Sequence, residues 1–220
     1  MNICCVLLIS GLDIGDYNEG LLKEWANNCT KHNVDIKVYN KPDFKELKRK
    51  WKFRFNHNKD YIGSTFLTLF ESYNDKYDYY IFYEEDVVCN KNIFNEINFD
   101  YDFIFMVKPK IDYEWFWYKF NHIQNIKRKG YKPYSSLLNL YALNKKTLKD
   151  LMNFVKEGNY AHHEYLINSF IMNNNKYKIG YLSDMFKIFT DWRRLKNKKY
   201  NDYDIVHPIK SLDEFNKKIL

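Results

Sequence analysis

The chain lacks the short motifs that mark the commonest nucleotide-binding α/β proteins. No GxxxxGK(S/T) loop occurs in its 220 residues, and no GxGxxG follows the first apolar run. These absences argue against a P-loop nucleoside triphosphatase and a Rossmann dehydrogenase. Cysteine is scarce: Cys4, Cys5, Cys29 and Cys89 are the full set, and none belongs to a CxxC pair. No zinc motif or disulfide framework follows from them. Cys4, Cys5 and Cys89 lie in or beside apolar runs, where a free thiol behaves as a small hydrophobe, so the reading is a reducing compartment and a cytoplasmic location. No run is long enough to cross a bilayer. The opening MNICCVLLIS has no basic region before it and no cleavage-type ending, and it reads as a first strand. Internal repeats and linkers are absent too, so residues 1–220 are read as a single domain.

What is present favours a folded core. Hydrophobic residues make up 45% and aromatic residues 19% of the chain, too much apolar surface for a disordered one. Tyr, Phe, Asn, Lys and Ile are heavily used, a bias that suits an AT-rich genome. The formal net charge of +7 favours polyanionic partners: nucleic acid, an anionic membrane surface or a phosphorylated small molecule. The charge is dispersed except in KELKRKWKFR (Lys45–Arg54), KRKGYK (Lys127–Lys132) and RRLKNKK (Arg193–Lys199), each of which also reads as a solvated face.

Periodicity gives an α/β order. Ile3–Ser10 reads as a buried strand, Glu19–His32 as a helix with Leu21, Leu22, Trp25, Ala26 and Cys29 on one face, and Val34–Tyr39 as a second strand. Ile62–Tyr73 is helical in pattern. Tyr79–Val88 lacks polar alternation and predicts a central strand covered on both faces. Phe103–Val107 and Ser136–Leu143 are further strands, Asn144–Gly158 is an amphipathic helix ended by glycine, and HHEYLINSFIMNN opens another helix. KIGYLSDMFKIF supplies one or two late strands. Lys41–Asn58 resists assignment, and the aromatic DYEWFWYKFNH (Asp112–His122) reads as an excursion from the sheet.

One feature of the central strand is electrostatically odd. YYIFYEEDVV ends its apolar run in three consecutive acids, Glu84, Glu85 and Asp86. Ligands of open α/β sheets bind beyond the carboxyl ends of the strands, and clustered carboxylates are tolerated there when a divalent cation neutralises them. A nucleoside diphosphate would bring such a cation, with basic side chains holding its remaining charge. The alternative is a surface turn whose acids pair with nearby lysines.

At this point the sequence resembles the nucleotide-sugar-dependent glycosyltransferases of the GT-A fold. YIGSTFLTLFESYNDKYDYYIFYEEDVV (Tyr61–Val88) is similar to the turn, helix and strand that lead to an Asp-x-Asp-type motif, here closest to the Glu-Asp-Asp form of lipopolysaccharide-type transferases. LLNLYALNKKTLKDLM (Leu137–Met152), followed by AHHEYLI (Ala161–Ile167), resembles the strand and helix after the acceptor region, and DIVHPIKS (Asp204–Ser211) the late histidine of the metal site. Small one-domain transferases of large DNA viruses are similar in size and texture, which would make the location a host cytoplasm.

The resemblance implies a Rossmann-like mixed sheet, mostly parallel and flanked by helices. It implies a nucleoside-diphosphate sugar as donor, Mn²⁺ or Mg²⁺ as cofactor, a glycan or other hydroxyl acceptor as partner, and no nucleic-acid partner. Asp86 would bind the metal. Glu84 would contact the donor ribose, or the metal through water, and Glu85 would lie near the donor sugar. His207 would complete the metal site, and as an imidazole it tilts the choice towards Mn²⁺; its other reading is a loop histidine before Pro208. Ser10 and Gly11 would meet the nucleotide base and ribose, and Arg54 and Lys210 the diphosphate. Each of these also has a plain surface or strand-end reading. For inverting transfer, Glu164 is the candidate base and Asp191 the reserve, with His162 and His163 tuning or positioning Glu164. Glu164 also reads as a carboxylate stabilising a helix N-terminus. Trp115, Trp117 and Tyr118 offer faces for an acceptor sugar, or core packing. Two departures from the family stand out: the motif begins with Glu, and GSTF lacks the histidine often found near that glycine. A retaining mechanism, a nucleic-acid-binding or nuclease domain, and a non-catalytic module of the same fold remain as other readings.

Overall fold

The structure, a computed structural model, describes residues 1–9, 27, 29–40, 64–84, 86–89, 93–114, 129–159, 161–190 and 202–207. Among these, six strands form the principal sheet: β1 (Ile3–Ile9), β2 (Asp35–Asn40), β3 (Tyr79–Glu84), β5 (Phe103–Phe105), β8 (Leu140–Asn144) and β9 (Ile179–Tyr181), in the order β2-β1-β3-β8-β5-β9. β8 alone runs against its neighbours, so the sheet is mixed and mostly parallel, as the family resemblance implies.

The side chains of β3 explain its unbroken apolar run. Tyr80 and Phe82 enter one core with Cys4, Val6 and Leu8, while Tyr79, Ile81 and Tyr83 enter the other with Cys5 and Leu7. The first core closes under three helices, α1 (Ser64–Ser72), α3 (Lys145–Lys156) and α4 (His163–Met172), through Leu69, Phe70, Leu151, Leu166 and Ile167. The second closes under α2 (Ile93–Glu96), Ile97, Leu182 and Ile205. A strand covered on both faces has no solvent side on which to place polar residues. Cys4, Cys5 and Cys29 are buried in these cores.

α3 begins where its sequence says it should. The Asn144 side chain accepts from the Thr147 N–H at 2.8 Å, an N-cap, and Gly158 takes φ +88° just beyond the last turn. Asn144 also donates through Nδ2 to Asp102, which ties the helix start to β5 and to the Lys178 N–H beside β9.

Two sequence expectations are corrected. β3 stops at Glu84 and does not run on to Val88: the Val87 N–H turns back to the Glu84 carbonyl at 3.2 Å, and β4 (Val88–Cys89) joins a separate three-stranded sheet with β10 (Ile188–Thr190) and β11 (Ile205–His207). Glu84 thus ends β3, and Asp86 falls on the turn between the two sheets. Ser136–Leu143 is not one strand. β7 (Tyr134–Ser135) pairs with β6 (Lys110–Ile111), β8 starts at Leu140, and the four residues between leave both ladders. KIGYLSDMFKIF supplies two late strands, within the one or two expected: β9 and β10 lie in different sheets, separated by a 3₁₀ turn at Leu182–Asp184. Of the helix expected over Glu19–His32, only residues 27 and 29–32 are described, with 27 and 29–31 helical. Lys41–Asn58, Trp115, Trp117 and Tyr118 lie outside the described residues.

Phe82 is fully buried and stacks on Tyr141 with ring centroids 4.9 Å apart. Phe82→Ala is expected to cost about 3–5 kcal/mol of unfolding free energy, measured by urea titration followed by tyrosine and tryptophan fluorescence.

Candidate functional site

The topology determines which residues can meet at the end of β3. β1 and β3 are parallel, so their carboxyl ends lie at one edge of the sheet. β8 is antiparallel to β3, with Tyr83 opposite Leu140, so the chain entering β8 arrives at that same edge. Asn139 therefore sits against Glu84. The Glu84 N–H donates to the Asn139 carbonyl at 2.9 Å, and Asn139 Nδ2 donates back to Glu84 Oε2.

The small sheet supplies the other side. β4 and β11 are antiparallel, with Val88 opposite Val206, which carries His207 towards the residues just before β4. His207 Nε2 lies 3.2 Å from Asp86 Oδ1. Glu84, Asp86 and His207 each present a ligand atom within 4.8 Å of the others. His207 is fully buried, and the two acids are half-buried. Its alternative reading as a loop histidine does not hold, because it ends a strand inside the core. Two carboxylates brought this close repel each other unless a cation or proton intervenes. Two hard oxygen donors and one imidazole nitrogen fit a divalent cation, with the nitrogen favouring Mn²⁺ over Mg²⁺.

A second polar cluster adjoins the first. Glu164 stands in the first turn of α4 and is buried, with the Leu138 N–H donating to its carboxylate. Burial pushes its pKa up from 4.5 to about 7, and that backbone hydrogen bond lowers it only in part. Asn168 fixes this end of the helix. It donates to the Glu164 carbonyl and to the Ser136 carbonyl, and accepts from Ser136 Oγ at 2.8 Å.

Between the clusters lie two histidines. His163 Nε2 is 3.9 Å from Glu84 Oε1, and His162 Nδ1 is 3.8 Å from Glu164 Oε2. Burial holds His162 down at a pKa of about 2 and His163 at about 3, so both imidazoles are neutral at neutral pH and neither contact is an ion pair. Their rings are 4.4 Å apart. Side chains that are adjacent on a helix diverge, but His162 precedes the helix in an extended conformation (φ −55°, ψ 138°), which lets the two rings approach.

Four sequence candidates thus meet in one region: Glu84, Asp86 and His207 directly, and Glu164 through the two histidines. Ser10, Gly11, Arg54, Glu85, Asp191 and Lys210 lie outside the described residues. Sequence reasoning missed Asn139. The available signal was one polar side chain interrupting the apolar LLNLYAL.

No protein-family model matches the sequence, and no curated protein matches it. Solved structures do resemble the fold. A glycosyltransferase involved in glycosylation of the major capsid of PBCV-1 aligns over 100% of both chains with a TM-score of 0.51 at 11% identity. The catalytic domain of Drosophila β1,4-galactosyltransferase 7, solved with xylobiose, aligns over 82% of this chain and 65% of its own at a TM-score of 0.44 and 9% identity. The galactosyltransferase LgtC, with donor and acceptor sugar analogues, aligns over 94% and 87% at 0.42 and 13%. The first of these scores above 0.5. Together with the mixed sheet it shows a GT-A type fold resembling that of a viral glycosyltransferase, and at 11% identity it shows the fold alone. Among the described residues no helix is long and apolar enough to cross a membrane.

The raised Glu164 pKa has a signed consequence for stability. Its folded value of about 7 exceeds the unfolded 4.5, so the stability linked to its proton is full below pH 4.5 and is lost as pH rises through 7. Glu164→Gln, which carries no charge and can still accept from Leu138, is expected to melt above the wild type at pH 8 by calorimetry, a gain of at most ~3 kcal/mol. Below pH 4.5, where the group is protonated in both the folded and unfolded states, the two proteins are expected to converge.

Proposed function

We propose that the chain is a metal-dependent glycosyltransferase, one domain over residues 1–220, that moves a sugar from a nucleoside-diphosphate sugar to an acceptor hydroxyl, on a glycan, with inversion. The observation that carries this reading is the meeting of Glu84, Asp86 and His207 within 4.8 Å at the carboxyl end of the central strand. The likeness of the fold to that of a glycosyltransferase supports it.

In this reading Asp86, Glu84 and His207 hold Mn²⁺, or less favourably Mg²⁺. The bound ion would neutralise charge on the departing nucleoside diphosphate. Glu164 is the general base. Its carboxylate takes the proton from the acceptor hydroxyl, the freed oxygen lone pair attacks the anomeric carbon, and the bond from that carbon to the diphosphate oxygen breaks with its electrons leaving on the diphosphate. A carboxylate with a pKa near 7 suits this task, because it is both ionised at neutral pH and basic enough to accept a proton. The Leu138 N–H orients the carboxylate, and neutral His162 borders it without competing for the proton. We assign Ser10, Gly11, Glu85 and Lys210 to the donor on the family resemblance of their sequence context, Arg54 to the diphosphate on its charge, Asp191 to the reserve base, and the protein to the cytoplasm on its few cysteines, which form no CxxC pair.

The reading is tested with the full chain, Mn²⁺ and a panel of nucleoside-diphosphate sugars, following release of the nucleoside diphosphate. Asp86→Ala is expected to lower turnover at least about 100-fold, the rate equivalent of several kcal/mol; unchanged turnover would remove the metal assignment. Glu164→Gln is expected to lower kcat about 10²–10⁴-fold and to abolish the rise of kcat/KM through pH 7. Retention of that rise in the variant would remove Glu164 as base.

A further inference from the structure

The leading acid of the motif is Glu84, one methylene longer than the aspartate commonly found there. A longer arm has an extra torsion to order before it can serve as a ligand, and ordering it weakens binding. The structure shows what restrains that arm. Asn139 accepts from the Glu84 N–H through its carbonyl and donates to Glu84 Oε2 through Nδ2, so a single residue grips Glu84 at both its backbone and its carboxylate. The other oxygen, Oε1, faces His163 at 3.9 Å.

Asn139 is a poor choice for packing alone. It is 5% exposed, it follows Leu137 and Leu138, and Leu140 to Leu143 after it are buried. Its Oδ1 is buried without a hydrogen-bond partner among the described residues. A buried acceptor left unsatisfied destabilises the fold, and an apolar residue of the same volume would avoid that loss. What the amide adds is the hydrogen bond to Glu84.

Resting on the reading of the site as a metal centre, we infer that Asn139 is a positioning residue that holds the Glu84 carboxylate in its ligating orientation. The adjacent Leu138 N–H holds Glu164, so consecutive residues at the entry to β8 orient both the metal-side acid and the base-side acid. The antiparallel direction of β8 makes this possible, because it delivers the two residues to the edge where β3 ends.

Mn²⁺ binding to the full chain without nucleotide, read from the free-ion electron paramagnetic resonance signal, tests the inference. Second-sphere partners of metal ligands are worth 10–100-fold in affinity, so Asn139→Leu is expected to weaken Mn²⁺ binding by about that factor. The same substitution in a Glu84→Gln background is expected to add nothing, since the arm it positions no longer ligates as a carboxylate. Asn139→Ala provides the same readout with less bulk if the leucine variant does not fold. Binding within twofold of wild type in the folded Asn139 variants would overturn the role, as would an equal loss in both backgrounds, the mark of a merely structural residue. Unchanged Mn²⁺ binding in Asp86→Ala would instead remove the metal centre itself, and with it the role of Asn139.

Discussion

The site depends on the burial of β3 on both faces. Its alternate side chains enter two separate cores, so neither face can hold a charge and the polar groups must wait for the strand's end. Glu84 is the first residue of the strand that is not fully covered. The Val87 N–H closes a turn onto Glu84 at once, which directs the following residues into the smaller sheet. Glu84 and Asp86 thus occupy a junction between two sheets, where a ligand can reach carboxylates that are still partly screened from water.

The same constraint shapes the electrostatics. At this junction burial acts on groups of opposite kind. It raises Glu164 towards neutrality and holds His162 and His163 uncharged, while Glu84 and Asp86 are only half-buried. A carboxylate tuned to about 7 beside two neutral imidazoles is suited to accepting a proton. Two nearby carboxylates with an imidazole are suited to a cation. The two chemistries are separated by the two histidine rings, and the short segment before β8 contacts both.

Much of the fold was legible because the chain's patterns are local. The absence of alternation in Tyr79–Tyr83 reports a strand covered on both sides, Asn144 and Gly158 bracket a helix by capping chemistry, and the acid run marks the end of the central strand. The boundary errors have one cause. Val88 and Leu137 are as apolar as their neighbours, and hydropathy does not say whether an apolar residue continues a ladder or crosses to another sheet. Asn139 was passed over for a related reason: one polar residue in an apolar segment gains meaning only when its partner is known.

By itself, then, the sequence determined residue chemistry and order: an α/β alternation, a central strand ending in acids, a late histidine and a carboxylate at the start of a helix. These follow from periodicity and side-chain type, which act over a few residues. Only the tertiary structure decided that β8 runs antiparallel to β3, that β4 pairs with β11, and that Asp86 consequently stands 3.2 Å from a histidine more than a hundred residues away. Strand direction and sheet membership are set by packing across the whole core, and no local window of sequence contains that information.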